Sequence, residues 1–279
     1  MAGLTVLEML VSTTCLVIIV LGLTAMFVET QRVFKMGTRQ TSMTDSGRTI
    51  LDMVTSDLAQ LSDAQNTNIV NLYWGWAPTN ISMQTADGST VPYRTNQLQE
   101  IFMLVRTNMQ WVGVGYAVSN YAGGAGTLYR YMAMTNDPLT TNGAYYLYTN
   151  FAFGVANQVF SPLYFHRVTD GVVHLKIRAF DTTGNEPLLE QYQDYAVGGA
   201  SFSYPTSAYA YSTGVPGQTV FVPSAGLPGM VQLEVGVLEP DAFEQLRALP
   251  ANRTIQLNYL SKAGGKIQIY RQNIPIGEH

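Results

Sequence analysis

Cysteine is almost absent. Cys15 is the only one in 279 residues, so the chain closes no disulfide of its own and offers no cysteine-based metal site. Charge is scarce too: Asp, Glu, Lys and Arg make up 12% of the chain, against about 25% in an average protein. With 15 Lys and Arg against 19 Asp and Glu, the net charge is −4, which leaves no basic field to draw nucleic acid. The His-Glu-x-x-His, Gly-x-Ser-x-Gly, Walker and dinucleotide fingerprints are missing, which argues against a hydrolase or a nucleotide enzyme. Gly123-Gly124-Ala125-Gly126 precedes a strand-like segment and reads as a hairpin turn, where a phosphate cradle needs a helix. His166 and His174 fall on strand-like segments and read as half-exposed strand residues.

What the chain does have is an apolar or small run from Leu4 to Val28 with a single charge, Glu8. Met9 to Val28 alone is uncharged and long enough to cross a bilayer as a helix, which takes about 20 residues. A carboxylate in such a helix costs roughly 2.5–3.5 kcal/mol, so Glu8 is a functional-site candidate that needs a partner. The run has no basic segment before it, exceeds a signal peptide's apolar core, and lacks a small-x-small site at its far end; it reads as an anchor. Cys15 reads as a small packing residue within it.

Periodicity continues past the apolar run. Met43, Ile50, Leu51, Val54, Leu58 and Leu61 recur at helical spacing with Thr, Ser, Asp and Arg on the other face. One helix from Leu4 to about Leu61 is expected, greasy all round at first and amphipathic afterwards. Beyond Asp63–Asn68 the chain reads as strands. Val112–Val118, Val173–Ala179 and Val231–Val237 alternate apolar and other residues, each predicting a strand with one buried face. Weaker strand candidates cover 100–107, 127–134, 159–168 and 266–274. Asp241 and Glu244 form a capping-box-like pair ahead of a short helix over Ala242–Leu249, stopped by Pro250. Pro205–Gly229 is expected to contain a long surface loop. Fold class is therefore α+β, with residues 4–28 spanning a membrane, 29–62 completing the helix, and 63–279 forming a β-rich domain.

At its start the chain resembles the type IV pilin-like family, which includes type II secretion pseudopilins. The family pattern is a glycine, a hydrophobic first mature residue, then Thr-Leu-Ile-Glu-Leu; here it reads Gly3, Leu4, Thr5-Val6-Leu7-Glu8-Met9. The resemblance implies that residues 1–3 are a leader remnant, that a prepilin peptidase cuts between Gly3 and Leu4, and that the new amine of Leu4 is methylated. It also implies that Thr5 and Glu8 serve assembly, with Glu8 pairing the terminal amine of a neighbouring subunit. Downstream, Val114–Val118, Gly126–Arg130, Val172–Asp181 and Leu227–Leu233 are similar to the strand motifs of J-type minor pseudopilins. The related W-type minor pilin of type IV pili is nearly as similar, and a cassette-encoded pilin-like protein of the Verru_Chthon type is a further alternative. The segment between Asp181 and Leu227 is longer than the family pattern and lacks its usual Trp.

The resemblance implies a non-enzymatic minor subunit without cofactor or metal. It would sit as a single-pass protein in a bacterial inner membrane, with a periplasmic domain, before joining a periplasmic or cell-surface filament. Its expected partners are major and minor pilin-like subunits, the prepilin peptidase and the inner-membrane assembly platform. The rival reading is a membrane-anchored surface binding protein or adhesin. Lesser candidates are Asp181–Glu186 as calcium-ligating oxygens, against a plain turn, and Asn80-Ile-Ser82 and Asn252-Arg-Thr254 as glycosylation triplets of little weight. Trp74, Trp76 and Trp111 are expected in the core.

Overall fold

The computed structural model describes residues 5–62, 70–75, 81–85, 92–107, 110–119, 124–135, 141–180, 211–212, 219–220 and 227–276. By internal packing the chain forms two units, Met1–Ser42 and Met43–His279, and the division falls within one helix, α1 (Val6–Leu58).

In the first unit the side chains from Thr5 to Thr38 are all exposed, the large aliphatics Leu16, Val17, Ile18, Ile19 and Leu21 among them. α1 is long and apolar enough to cross a membrane. Three threonines of its apolar run are satisfied within the helix. Thr13, Thr14 and Thr24 donate to the carbonyls of Met9, Leu10 and Val20, four residues earlier, at 3.0, 2.7 and 2.8 Å. This is how a threonine avoids an unmet hydroxyl where no water is present.

The second unit is built on a seven-stranded antiparallel sheet. Its members are β1 (Leu72–Gly75), β4 (Glu100–Thr107), β5 (Gln110–Ser119), β6 (Gly126–Met134), β7 (Phe165–Phe180), β10 (Met230–Leu238) and β11 (Ile267–Pro275), in that spatial order. Two small antiparallel pairs, β2 (Ile81–Thr85) with β3 (Pro92–Gln97) and β8 (Tyr211–Ser212) with β9 (Thr219–Val220), form separate two-stranded sheets beside it. Ile50, Leu51, Val54, Leu58 and Leu61 of the expected stripe are buried on one face of the sheet, against Ile101, Met103 and Val105 of β4 and Val112, Val114 and Val118 of β5. Each such aliphatic contributes about 1.5–3 kcal/mol.

The other face is covered as well. The intervening residues of β4, Phe102 and Leu104, join Tyr131 of β6 and pack under Leu147, Phe151 and Val155 of α2 (Thr141–Ala156). β5 is thus buried on both faces, where the alternation of Val with Gly and Ala predicts only one. The glycines are small because the helix is near: a Cβ on Gly113 would lie 2.9 Å from Leu147 Cβ, and one on Gly115 would lie 2.6 Å from Phe151 Cε2.

A third core lies at one end, where Ala242, Phe243 and Leu246 of α3 (Pro240–Ala248) and Leu260 of α4 (Arg253–Lys262) meet Val173 and Leu238. A bulge in β7 makes that contact. Gly171 adopts φ +76°, and the register against β10 slips between Gly236 and Val237. The phase of the strand changes there, so Val172 and Leu175 face the α1 side while Val173 turns to α3.

Several expectations need adjustment. The 159–168 candidate is a strand only from Phe165, preceded by a turn. α3 begins at Pro240, the favoured first helical position, two residues before the expected start. Glu244 pairs with Arg247 at 3.3 Å, and no side chain caps the helix through Glu239. The Pro205–Gly229 loop lies largely outside the described residues, as do Asp181–Glu186, Trp76 and Asn80.

Candidate functional site

Two of the sequence-derived site residues, Thr5 and Glu8, sit at the head of α1. Gly3 and Leu4 lie outside the described residues. Thr5 immediately precedes the helix and Glu8 occupies its first turn. The Thr5 N–H and hydroxyl both donate to Glu8 Oε2, at 2.8 and 3.0 Å, and the Glu8 N–H donates to Thr5 Oγ1 at 3.4 Å. This reciprocal pair is a capping box: the first-turn donors that a helix cannot satisfy internally are met by the Thr and Glu side chains. Its Thr-x-x-Glu spacing is plain in the sequence, but the cost of a lone charge draws attention to partners outside the chain and away from Thr5. Both bonds use Oε2; among the described residues Oε1 accepts none. The arrangement can therefore start a helix and still present a carboxylate oxygen to a cation.

A second polar cluster ties the later part of α1 to the sheet. Asp57, buried in α1, accepts from Arg130 Nε on Oδ2 and from Arg130 Nη2 on Oδ1, both at 2.8 Å, and the Tyr116 hydroxyl also donates to Oδ2. The two-pronged geometry is the strong form of a charge-assisted bond. Burial, with the negative charge of Asp57 beside it, pushes the Tyr116 hydroxyl far above its usual value, so it remains a donor. Arg130 closes the Gly126–Arg130 segment, whose Leu128 is fully buried in the α1-side core. Asp57 is invisible as a site in the sequence because it sits among the polar residues of an amphipathic helix.

His174 corrects the half-exposed reading: it is 4% exposed and its Nδ1 accepts the Gln97 N–H at 3.0 Å. Its Nε2 lies 3.4 Å from Glu234, which also pairs with Arg271 at 2.8 Å, so β7, β10 and β11 are cross-linked by polar groups. His166 is exposed on β7. Trp74 is in the core, and Trp111 is half-buried under Arg106. Asn252 of the second triplet is the N-cap of α4, accepting from Thr254 N and Ile255 N at 3.0 and 3.3 Å. Gly126 opens β6, so the glycine-rich segment leads into a strand. Among the described residues no group of three or more His, Cys, Asp or Glu side chains is placed to hold a metal ion.

Comparison of the chain with protein-family models, with curated proteins and with solved structures returns no match.

Proposed function

We propose that the chain is a minor pilin-like, or pseudopilin, subunit of a type II secretion or type IV pilus-type filament, acting in filament assembly or at the filament tip. The observation that carries this reading is the two-part character of α1. Its first part exposes aliphatic side chains around a single acid, Glu8, and its later part buries Ile50, Leu51, Val54 and Leu58 in a β domain. A soluble domain has no use for the first part, because such a surface demands either lipid or other helices of the same kind. Before assembly the partner is lipid, in a bacterial inner membrane with the β domain on the periplasmic side. Afterwards the partners are the corresponding helices of major and minor subunits, brought together by an assembly platform.

Glu8 then has a defined task. A neighbour's terminal amine, freed and methylated at Leu4 by a prepilin peptidase, is a cation in an apolar filament core, and Glu8 Oε1 supplies the counter-charge. The pair removes two isolated charges at once, while Thr5 holds the other oxygen. Sequencing the amino terminus of the protein extracted from membranes tests the reading. The mature chain is expected to begin at Leu4 with a methylated amine, and a Gly3→Leu variant should accumulate as precursor. A chain that begins at Met1 in the presence of the peptidase overturns it.

A further inference from the structure

Arg167 of β7, Arg247 of α3 and Arg253 of α4 line one cleft of about 500 Å³. In a chain with 15 Lys and Arg among 279 residues, three guanidinium groups around one concavity is a marked concentration of positive charge. The one acid in the lining is Asp170, and it is already engaged. Arg167 Nε donates to Asp170 Oδ1 at 3.2 Å and Arg167 Nη2 to Oδ2, while the Thr127 hydroxyl donates to Oδ1 at 2.7 Å. Burial alone would raise the Asp170 carboxyl, but the bonds from Thr127 and Arg167, with the charges of Arg167 and Arg247, hold it below the usual range. Asp170 thus stays ionised and anchors Arg167, whose Nη1 has no partner among the described residues.

Arg247 is held as well. It lies over the Phe243 ring, 5.9 Å from its centroid, and reaches Glu244 at 3.3 Å. Arg253 opens α4, so the positive end of that helix dipole lies at the same cleft. Neutral hydrogen-bonding groups on Tyr129 and Gln256 complete the wall. Solvated arginines at helix ends are common, and each of these alone means little. Their convergence from three elements, with one of them braced by a carboxylate, is what a site for a negative group requires.

We propose that this cleft binds a small ligand bearing a carboxylate or phosphate group, held by Arg167, Arg247 and Arg253 with its neutral part against Tyr129 and Gln256. The volume lies within the range of roughly 300–1,000 Å³ usual for small-molecule sites. This site is independent of the filament reading, since it lies within the β domain and uses no residue before Met43.

Titration calorimetry on the full chain in detergent, at low ionic strength, tests it with three probes: inorganic phosphate, galacturonate and neutral galactose. Phosphate or galacturonate is expected to bind, galactose is not, and added salt should weaken the interaction. Binding of one anion and not the other decides between phosphate and carboxylate as the preferred group. Arg253→Gln and Arg167→Gln, both exposed positions, should each weaken binding about tenfold, the value of one lost charge-assisted contact. Lys176→Gln, on β7 outside the cleft, should leave it unchanged. Binding of neither anion, equal binding of galactose, or undiminished binding by both arginine variants overturns the proposal.

Discussion

Arg130 grips Asp57 with two parallel hydrogen bonds of 2.8 Å, and this one contact crosses from β6 to the later part of α1. Asp57 is only 7% exposed, so the carboxylate depends on that guanidinium. Arg130→Ala should destabilise the β domain by about 3–5 kcal/mol, the cost of leaving one partner of a buried pair uncompensated. Arg130→Lys should fall between, because it restores charge without the fork. Replacing the cluster together, as Asp57→Leu, Tyr116→Phe and Arg130→Met, should recover most of the loss. Denaturant midpoints of the four proteins in detergent decide this; a triple variant no better than Arg130→Ala would refute the desolvation argument.

Gly47 offers a test with an inverted sign. In an exposed helix, Gly→Ala normally stabilises by about 1 kcal/mol. Here a Cβ at Gly47 would overlap the ring of Tyr270, which packs on the helix from β11. Gly47→Ala should therefore destabilise by about 1–3 kcal/mol, as overpacked sites do. Adding Tyr270→Leu should restore much of it. Thermal melts of the single and double variants give the answer, and a stabilised single variant would rule out the close approach.

The sequence shows some of this and hides the rest for identifiable reasons. The α1 stripe is legible because aliphatics at Ile50, Leu51, Val54 and Leu58 keep helical spacing, although Leu61, expected on the same helix, lies beyond its end and bridges Val105 of β4. β4 matches its expected span because of its unbroken Ile-Phe-Met-Leu-Val core. α2 is hidden: Tyr145-Tyr146-Leu147-Tyr148-Thr149 favours strands, and the helix has no acidic first turn or basic last turn to mark its ends. Without α2, β5 looks one-sided. α4 has no clear amphipathic pattern, and its one plain signal, Asn252 as N-cap, coincides with a glycosylation triplet. At the candidate site Glu8 stands out by charge, whereas Asp57 means nothing until its partner, 73 residues away, is placed beside it.

Glu100 gives the β domain a pH dependence. Loss of water around its carboxyl raises it above the ordinary 4.5, partly offset by the hydrogen bond it accepts from Tyr73 at 2.5 Å. The native state holds that proton more tightly than the unfolded chain. Its contribution is therefore complete below pH 4.5 and declines as pH rises through the raised native value. Glu100→Gln should remove this decline, keeping an acceptor for Tyr73, and should raise the denaturation midpoint at neutral pH. Urea midpoints for both proteins from acid to neutral pH measure it; parallel curves would assign the dependence elsewhere.

Variants at Glu8 and Thr5 separate helix capping from charge pairing. Glu8→Gln keeps the capping box, since Gln serves at that position, but removes the charge. Thr5→Ala weakens the box, at about 0.5–2 kcal/mol, and keeps the charge. If Glu8 pairs with a neighbour's amine, Glu8→Gln and Glu8→Ala should both reduce co-purification with sheared filaments while membrane abundance holds. Thr5→Ala should retain most of it. Equal losses in Thr5→Ala and Glu8→Ala, with Glu8→Gln normal, would make capping the whole role of this acid.

The two ends of the seven-stranded sheet are poor templates for further pairing. β1 has four residues among those described, and β11 carries Arg271 and finishes at Pro275, which has no N–H to donate. Sheets that end in this way resist growing by one more strand from another molecule, a route from concentrated β protein to amyloid-like deposits. If the chain joins a filament as proposed, it can thus remain a separate folded body, joined to its neighbours by helices and surfaces, with no continuous β ribbon running between them.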